Sequence, residues 1–469
     1  MRTLPVHPID AVWLWMESPD TPMHVGVLAV FTKPRNAPAD YLRQLAAELR
    51  ERDDVTAPWN CRLAGDGRGQ LAMRWVTDKS IDLDYHFRHS ALPAPGGERE
   101  LGVMVSRLHS HALDRGRPLW EFHLIEGLER DRFAFYIKVH HALVNNVTAI
   151  PLLLSLLSPS ARRRNLPPLW SLTGHDSTGG PSEVDAETLM EGLRSLPSRA
   201  ASATASMGRA TLGLARDLLK SERTGSFAVP AGAPRSTLNR AINAQRRFAT
   251  QRFETSRIQA LADATDSTVN EVLTYLCGSS LRRFFKEYNA LPDHSLVGVV
   301  PVSLQERGEH SPGNAIAGIR VSLGTDVADP MARLDAVKAS MQTVRRDRES
   351  LPEEAASAYA LMRSLPLFAS QLPAVGRLVP PLFNLTTSMT PGSDRPLYFN
   401  GARLEAMYPM SMLLQYNALS IDCVRYADTL NIGFTGSRDT LPHLQRLAVY
   451  VGQAVADLEE LLGQTEGGR

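Results

Sequence analysis

Two adjacent histidines, His140 and His141, are the residues of this sequence best suited to proton chemistry. They end the apolar run FAFYIKV and lead into Asn145 and Asn146 in the stretch KVHHALVNN. A neutral imidazole, with an ordinary pKa of about 6.5, can accept a proton from a hydroxyl group at neutral pH. General-base catalysis is therefore one interpretation of the pair, and a metal site and plain packing are the alternatives.

The position of the pair at the end of a predicted strand restricts what the two rings can reach. Successive side chains of a strand point to opposite faces, so only one ring should reach a reacting atom while the other faces the core or orients it. HHALVNN has no Glu at i+1 and no His at i+4, which disfavours a metal. We therefore predict no metal, and from the pair alone packing is the favoured interpretation.

Residues 1–158 alternate short predicted strands and helices around this pair. MHVGVLAVF (23–31) and FAFYIKVHH (133–141) are apolar and β-branched enough for buried strands. Segments 39–52 and 102–113 predict helices, because their apolar residues recur at helical spacing. In the first helix these apolar residues are Leu42, Leu45, Ala46 and Leu49.

The composition changes at Pro159, where Pro, Gly, Ser and Arg become frequent. We assign 159–236 to a linker or crossover and 237–469 to a second domain. Within the linker, 186–221 carries a weaker helical signal that mixes apolar and basic residues. Such a segment suits either contact with a membrane surface or packing over one domain.

The second half begins with a strong helix over 266–285, and Thr268 and Glu271 fit a capping box at its start. A further amphipathic helix over 440–462 closes the chain, with Thr440 as its predicted cap. Two more segments predict strands: 296–304 and 430–436. Since both halves mix helix and strand, we predict two α/β domains joined by a long crossover.

Composition excludes several functional classes. The chain has 469 residues, 43% hydrophobic and 22% charged, and a net charge of +1, so it is typical of a globular protein with no global attraction to nucleic acid. Its three cysteines lack a CxxC pattern and fit a reducing compartment. No secretory pattern, no run of about 18 apolar residues, no GxSxG elbow and no P-loop pattern occurs. We expect a cytoplasmic protein, and a peripheral contact with a membrane or lipid droplet is left open.

Several motifs accompany the histidine pair in a fixed order along the chain. RGRPLWEFHLIEGL (115–128) precedes it. The others are PMHVGVL (22–28), STVNEVL (267–273), VPVSL (300–304), GNAIAG (313–318) and NGARLEAMYP (400–409). Together they resemble the bacterial wax ester synthase/diacylglycerol acyltransferase family, whose mark is HHxxxDG preceded by a PLW element. The resemblance covers nearly the whole chain, and the crossover is its least matched part.

The resemblance implies two chloramphenicol-acetyltransferase-like domains with a tunnel at their interface. It implies transfer of a long-chain acyl group from acyl-CoA to a fatty alcohol or a diacylglycerol, which forms wax ester or triacylglycerol without a cofactor. The second histidine of the motif, His141, would be the general base, with His140 beside it. Asn270, in the family's ND element, is a weaker candidate for an oxyanion donor. The alternative for Asn270 is an exposed polar residue in the first turn of a helix.

The chain departs from the family pattern at functional elements. The aspartate and glycine of HHxxxDG are Asn145 and Asn146 here. The family aspartate shapes the turn behind the histidines, and asparagine keeps its hydrogen-bonding shape without its charge; Asn146 is the better tolerated change, since asparagine accepts positive φ. The family's SNVPGP stretch reads SMTPGS, in which three residues survive: Ser388, Pro391 and Gly392. These departures allow a weakened activity.

Two aromatic residues in the matched motifs are further candidates for substrate binding. Trp120 could stack on a ligand, although a core anchor is the favoured interpretation. His24 could line the tunnel or be a satisfied buried histidine. Two other functions stay open beside the family reaction: acylation of a specialised-metabolite alcohol, and a catalytically impaired relative that binds acyl chains.

Overall fold

The computed structural model describes residues 3–6, 8–65, 73–143, 146–172, 232–303, 316–349, 371 and 380–466. Its α-helices are α1 (Pro8–Met16), α2 (Tyr41–Arg50), α3 (Leu83–His86), α4 (Glu98–Ser110), α5 (Asn146–Ser155), α6 (Thr255–Ala264), α7 (Val269–Glu287), α8 (Pro330–Glu349) and α9 (Gln445–Glu466). The strands of the first half are β1 (Thr3–Pro5), β2 (His24–Thr32), β3 (Cys61–Leu63), β4 (Arg74–Thr77), β5 (Phe87–Ala91), β6 (Trp120–Leu128) and β7 (Arg132–His140). Those of the second half are β8 (Arg246–Glu254), β9 (Val297–Ser303), β10 (Ile316–Ser322), β11 (Leu385–Pro391), β12 (Tyr398–Phe399), β13 (Ala402–Met410), β14 (Leu419–Tyr426) and β15 (Thr429–Ser437).

The strands form two six-stranded sheets and one small three-stranded sheet. The first large sheet has the order β12-β13-β2-β7-β6-β5, and the second has the order β10-β9-β11-β14-β15-β8. Both sheets are mixed, because β5 runs parallel to β6 and β11 runs parallel to β9 and β14. Helices cover them, so the predicted fold of two mixed α/β units is confirmed.

The two halves of the chain share the first sheet. Strand β13 pairs antiparallel with β2, in a register that places Tyr408 opposite Leu28. The start of the predicted linker also belongs to the first core, where Leu166, Leu169 and Trp170 are buried. The segment 186–221 lies outside the described residues.

Strongly periodic segments form the predicted helices. Helix α2 buries the four residues named above. Helix α7 begins with the predicted capping box: Glu271 N–H donates to Thr268 Oγ1 at 3.3 Å, and Thr268 N–H donates to Glu271 Oε2 at 2.7 Å. The prediction that Thr440 caps the last helix is wrong, because tight turns follow Thr440 and α9 begins only at Gln445. The Thr440 hydroxyl bonds the Ser437 hydroxyl instead, at 3.2 Å.

Helix α4 joins the two sheets. Ser106 Oγ accepts the Phe248 N–H at 2.9 Å, and Ser110 Oγ accepts the Arg246 N–H at 2.8 Å. Both N–H groups belong to β8, the edge strand of the second sheet. The helix thus satisfies backbone donors that an edge strand would leave unpaired, and it fixes the second sheet against the first.

Candidate active site

The histidine pair lies where the central strand of the first sheet ends. His140 is the last residue of β7 and pairs with His24 of β2. His141 follows it, and its N–H donates to the Met23 carbonyl at 2.8 Å. The two rings have different neighbours: His140 lies near Glu17, and His141 packs on Trp13 with ring centroids 4.3 Å apart. This agrees with the expectation that adjacent side chains of a strand reach different surroundings.

The lone pair of His140 is occupied by the backbone. Its Nδ1 accepts the Ala142 N–H at 3.0 Å. A neutral imidazole has one acceptor and one donor nitrogen, so the His140 proton must lie on Nε2, which faces Glu17 Oε1 at 3.7 Å. Burial lowers the pKa of His140 to about 3, with smaller contributions from His141 and Arg115. At neutral pH His140 is therefore an uncharged ring with no free acceptor.

Glu17 is a buried carboxylate beside the pair that the sequence analysis missed. Its Oε1 accepts the Met23 N–H at 3.2 Å, and its Oε2 lies 3.9 Å from Arg115 Nη1. Glu17 directly follows α1, and two of its neighbours, Arg115 and His140, come from distant parts of the chain. The feature of the sequence that could have indicated Glu17 is the position of an acidic residue directly after the apolar run AVWLWM. Glu17 holds the loop before β2 and places a carboxyl group near His140 Nε2.

His141 is also buried and uncharged at neutral pH. It is 4% exposed. Burial lowers its pKa to about 4, and the residue's own backbone carbonyl acts in the opposite direction. Helix α1 supplies Trp13, whose ring lies against the imidazole. Both histidines thus share a dry environment, and they differ in what engages their ring nitrogens.

His24 and Trp120 are packed into the structure around the pair. The His24 Nε2–H donates to the His109 carbonyl at 2.9 Å, and its ring meets the His109 ring edge-on. The Trp120 indole N–H donates to the Trp59 carbonyl at 2.8 Å, and its ring stacks on His86 and Trp170. Trp120 is fully buried, which favours the core-anchor interpretation over substrate stacking.

The candidates from the second half have other surroundings. The Ser388 hydroxyl donates to Asp422 Oδ1 at 2.6 Å. Gly392 leaves no room for a side chain, since a Cβ there would lie 2.2 Å from the Arg425 carbonyl oxygen, and Pro391 is exposed. Asn270 is exposed in the first turn of α7, as its alternative interpretation expected.

Of the two asparagines after the histidine pair, the structure describes only Asn146. Asn145 lies outside the described residues. Asn146 is the first residue of α5, where the family motif has glycine. The tolerance of the turn for these two changes therefore stays a prediction.

A small apolar cavity lies under α5 on one face of the first sheet. Its walls come from β2, β7, α5 and the short 3₁₀ helix Leu169–Ser171. The lining residues are Val25, Gly26, Val27, Ile137, Val139, Leu152, Leu153 and Leu169. Because side chains alternate along a strand, His141 continues the face of Ile137 and Val139, whereas His140 points to the opposite face.

Over the described part of the chain, no group of three or more His, Cys, Asp or Glu side chains could hold a metal ion. No helix within those same ranges is both long enough and apolar enough to cross a membrane.

Comparison with solved structures defines the class of protein first. The first condensation domain of the CDA synthetase superposes with a TM-score of 0.55 at 17% identity, over 98% of this chain and 95% of that one. The chain therefore has a chloramphenicol-acetyltransferase-like fold of two α/β domains, with two mixed sheets, the first of which takes strands from both halves of the chain. The wax ester synthase/diacylglycerol acyltransferase of Marinobacter aquaeolei VT8 superposes better, with a TM-score of 0.78 at 37% identity, over 98% of this chain and 99% of that one.

Sequence comparison then gives the family. The wax ester synthase/diacylglycerol acyltransferase catalytic domain matches residues 6–273, and the C-terminal domain of the same family matches 312–459. A Mycobacterium tuberculosis protein named as a diacylglycerol O-acyltransferase is 41% identical over 482 aligned residues, 96% of each chain. A second one from that species is 36% identical over 457, covering 97% of this chain and 99% of its own. The chain belongs to the wax ester synthase/diacylglycerol acyltransferase family and is an O-acyltransferase.

Proposed function

We propose that the protein transfers a long-chain acyl group from acyl-CoA to the hydroxyl of a fatty alcohol or a diacylglycerol, with His141 as the general base. The observation that carries the assignment is the difference between the two histidines. The only lone pair of neutral His140 accepts the Ala142 N–H at 3.0 Å. Among the residues that the structure describes, no backbone N–H bonds the Nδ1 of His141, so His141 is the member of the pair that is left to accept a proton.

The chemistry follows from the neutral state of the His141 imidazole, which keeps one ring nitrogen with a lone pair. That nitrogen takes the alcohol proton while the alcohol oxygen attacks the thioester carbonyl. The tetrahedral intermediate then collapses, the C–S bond breaks, and the proton passes to the CoA sulfur. Ester and free CoA are the products, and neither a cofactor nor a covalent enzyme intermediate is needed.

The apolar cavity under α5 supports a hydrocarbon substrate. It is lined by aliphatic side chains, and it lies on the sheet face that His141 continues. Each methylene group that is removed from water stabilises the bound state by about 0.8 kcal/mol. A cavity lined by aliphatic side chains therefore favours an acyl or alkyl chain over a polar group. We propose that one of the two hydrocarbon chains of the reaction approaches His141 from this side.

The assay that tests the proposal follows CoA release from palmitoyl-CoA by the purified protein, with hexadecanol, with diacylglycerol and with no acceptor. Release that depends on either acceptor supports the proposal. Release only with other hydroxyl compounds would indicate acylation of a specialised-metabolite alcohol. Binding of palmitoyl-CoA without release for any acceptor would contradict the proposal and favour an impaired, acyl-chain-binding relative.

The pH dependence of turnover should report a depressed histidine. A general base must be unprotonated, so kcat/KM falls as the pH drops through its pKa, which burial brings to about 4 for His141. We expect kcat/KM to stay constant as the pH drops through 6.5, the ordinary pKa of a histidine, and to fall only near pH 4–5. The control is circular dichroism at each pH, which separates loss of the base from acid unfolding. An acid limb near pH 6.5 in folded protein would contradict a buried base.

A further inference from the structure

Ser411 is the junction at which the chain leaves the first sheet for the second domain. It directly follows β13, which pairs with β2 in the first sheet, and β14 of the second sheet begins a few residues later. The side chain of Ser411 is buried. Whatever fixes Ser411 therefore fixes the position of one sheet relative to the other at this end of the strands.

The first partner of Ser411 is His109, near the end of α4. Its Nε2 lies 3.3 Å from the Ser411 carbonyl, and its Nδ1 lies 2.8 Å from the Tyr136 hydroxyl. A carbonyl can only accept, so Nε2 carries the proton and Nδ1 accepts from the tyrosine. Burial lowers the pKa of His109 to about 3 and raises that of Tyr136 well above its usual range, so both are neutral and these directions are fixed.

The second partner of Ser411 is Asp422, on β14. This buried carboxylate accepts a hydrogen bond from the Ser411 side chain. It also accepts from Ser388 at 2.6 Å and from Ser420 at 2.8 Å. Ser411 is therefore held on one side by a helix of the first domain and on the other side by a carboxylate of the second sheet.

The same helix end reaches the histidine pair. The His109 backbone carbonyl accepts from His24 Nε2 at 2.9 Å, and His24 is the strand partner of His140. A continuous buried line of contacts thus runs from Asp422 through Ser411, His109 and His24 to His140. Buried hydrogen bonds of this kind favour one arrangement, because each member loses its partner if the others move.

We propose that His109 is a positioning residue, which holds the Ser411 junction in a fixed place relative to the strand ends that carry His140 and His141. The proposal rests on the proposed function, because the reaction is what the positioning serves. His109 does not touch the reacting atoms. It acts through Ser411 on the second domain and through His24 on the strand pair.

A pair of matched substitutions tests this role. His109→Gln places an amide N–H near the Nε2 position and keeps the donor to the Ser411 carbonyl, whereas His109→Asn keeps only an acceptor near Nδ1 for Tyr136. Each variant loses one hydrogen bond, so similar losses of melting temperature are expected. We expect His109→Asn to lower kcat about tenfold with little change in KM, since a displacement of about 1 Å can cost up to about 10²-fold. His109→Gln should stay within about twofold of the wild type.

Hydrogen exchange followed by mass spectrometry gives a readout that does not depend on activity. His109→Asn should speed exchange in peptides covering 22–28 and 136–143, and His109→Gln should not. Asp422→Asn should resemble His109→Asn in this respect, and the two together should add little. Equal rates and equal exchange in the two His109 variants would overturn the proposal. If the wild type shows no acceptor-dependent CoA release, the proposed function fails, while the exchange difference still decides the positioning role.

Discussion

His141→Ala is expected to lower acceptor-dependent CoA release by about 10²–10⁴-fold, the contribution of general-base assistance, in a protein that stays folded. The alcohol proton then has no acceptor at the strand end, because the remaining histidine has its lone pair on the Ala142 N–H. The measurement is kcat with saturating palmitoyl-CoA and hexadecanol, beside the melting temperature. Turnover near that of the wild type would contradict the assignment of His141.

The matched control for this variant is the neighbouring histidine. His140→Asn keeps an acceptor near the Nδ1 position for the Ala142 N–H, so it should retain most of the turnover. His140→Ala leaves that buried N–H unpaired, which costs about 1–3 kcal/mol. It should lower the melting temperature more than the rate per folded molecule. If His140→Asn abolishes activity in a folded protein, the roles of the two histidines are reversed.

Lys138→Met is expected to destabilise the protein by about 3–5 kcal/mol, the usual cost of breaking a buried ion pair. Lys138 is 1% exposed. Its Nζ lies 2.9 Å from Glu121 Oε2 and donates to the carbonyls of Leu108 and His111 at 3.2 and 3.0 Å. Burial alone would raise the pKa of Glu121, but its hydrogen bonds from His123 and Lys138 bring that pKa to about 2. The substitution removes the nearer of two cations from this carboxylate, leaving only Arg88 at 3.8 Å, and it uncaps the end of α4.

The measurement for Lys138 is the midpoint of urea unfolding, and the control is the double variant Lys138→Met with Glu121→Gln. Removing both charges should lower the free energy of unfolding less than Lys138→Met alone, because the buried carboxylate is then removed together with the lysine. A double variant as unstable as Lys138→Met would show that the carbonyl contacts, and not the ion pair, carry the stability. Since α4 also bears His109, Lys138→Met should loosen the strand ends at the histidine pair as well.

The sequence by itself determined the elements whose patterns are local. Helices α2 and α7 were predicted because their apolar spacing and the Thr268–Glu271 capping box lie within one or a few turns. The strands around the histidine pair were predicted for the same reason, and the order of short motifs was enough to indicate the family. The Thr440 cap failed because a side chain suited to capping does not decide where a helix begins when tight turns come first.

Only the tertiary structure decided how the site is assembled. The two strands β12 and β13 join the first sheet from the second half, and Glu17, His109 and Asp422 meet the site through contacts between residues far apart in the chain. Residue patterns report periodicity along a segment and contain no information about which distant side chains pack together. The sequence found both histidines, and the alternation of a strand separated them. Which of the two keeps a lone pair depended on a single backbone N–H, that of Ala142, whose direction is set by the turn that ends the strand.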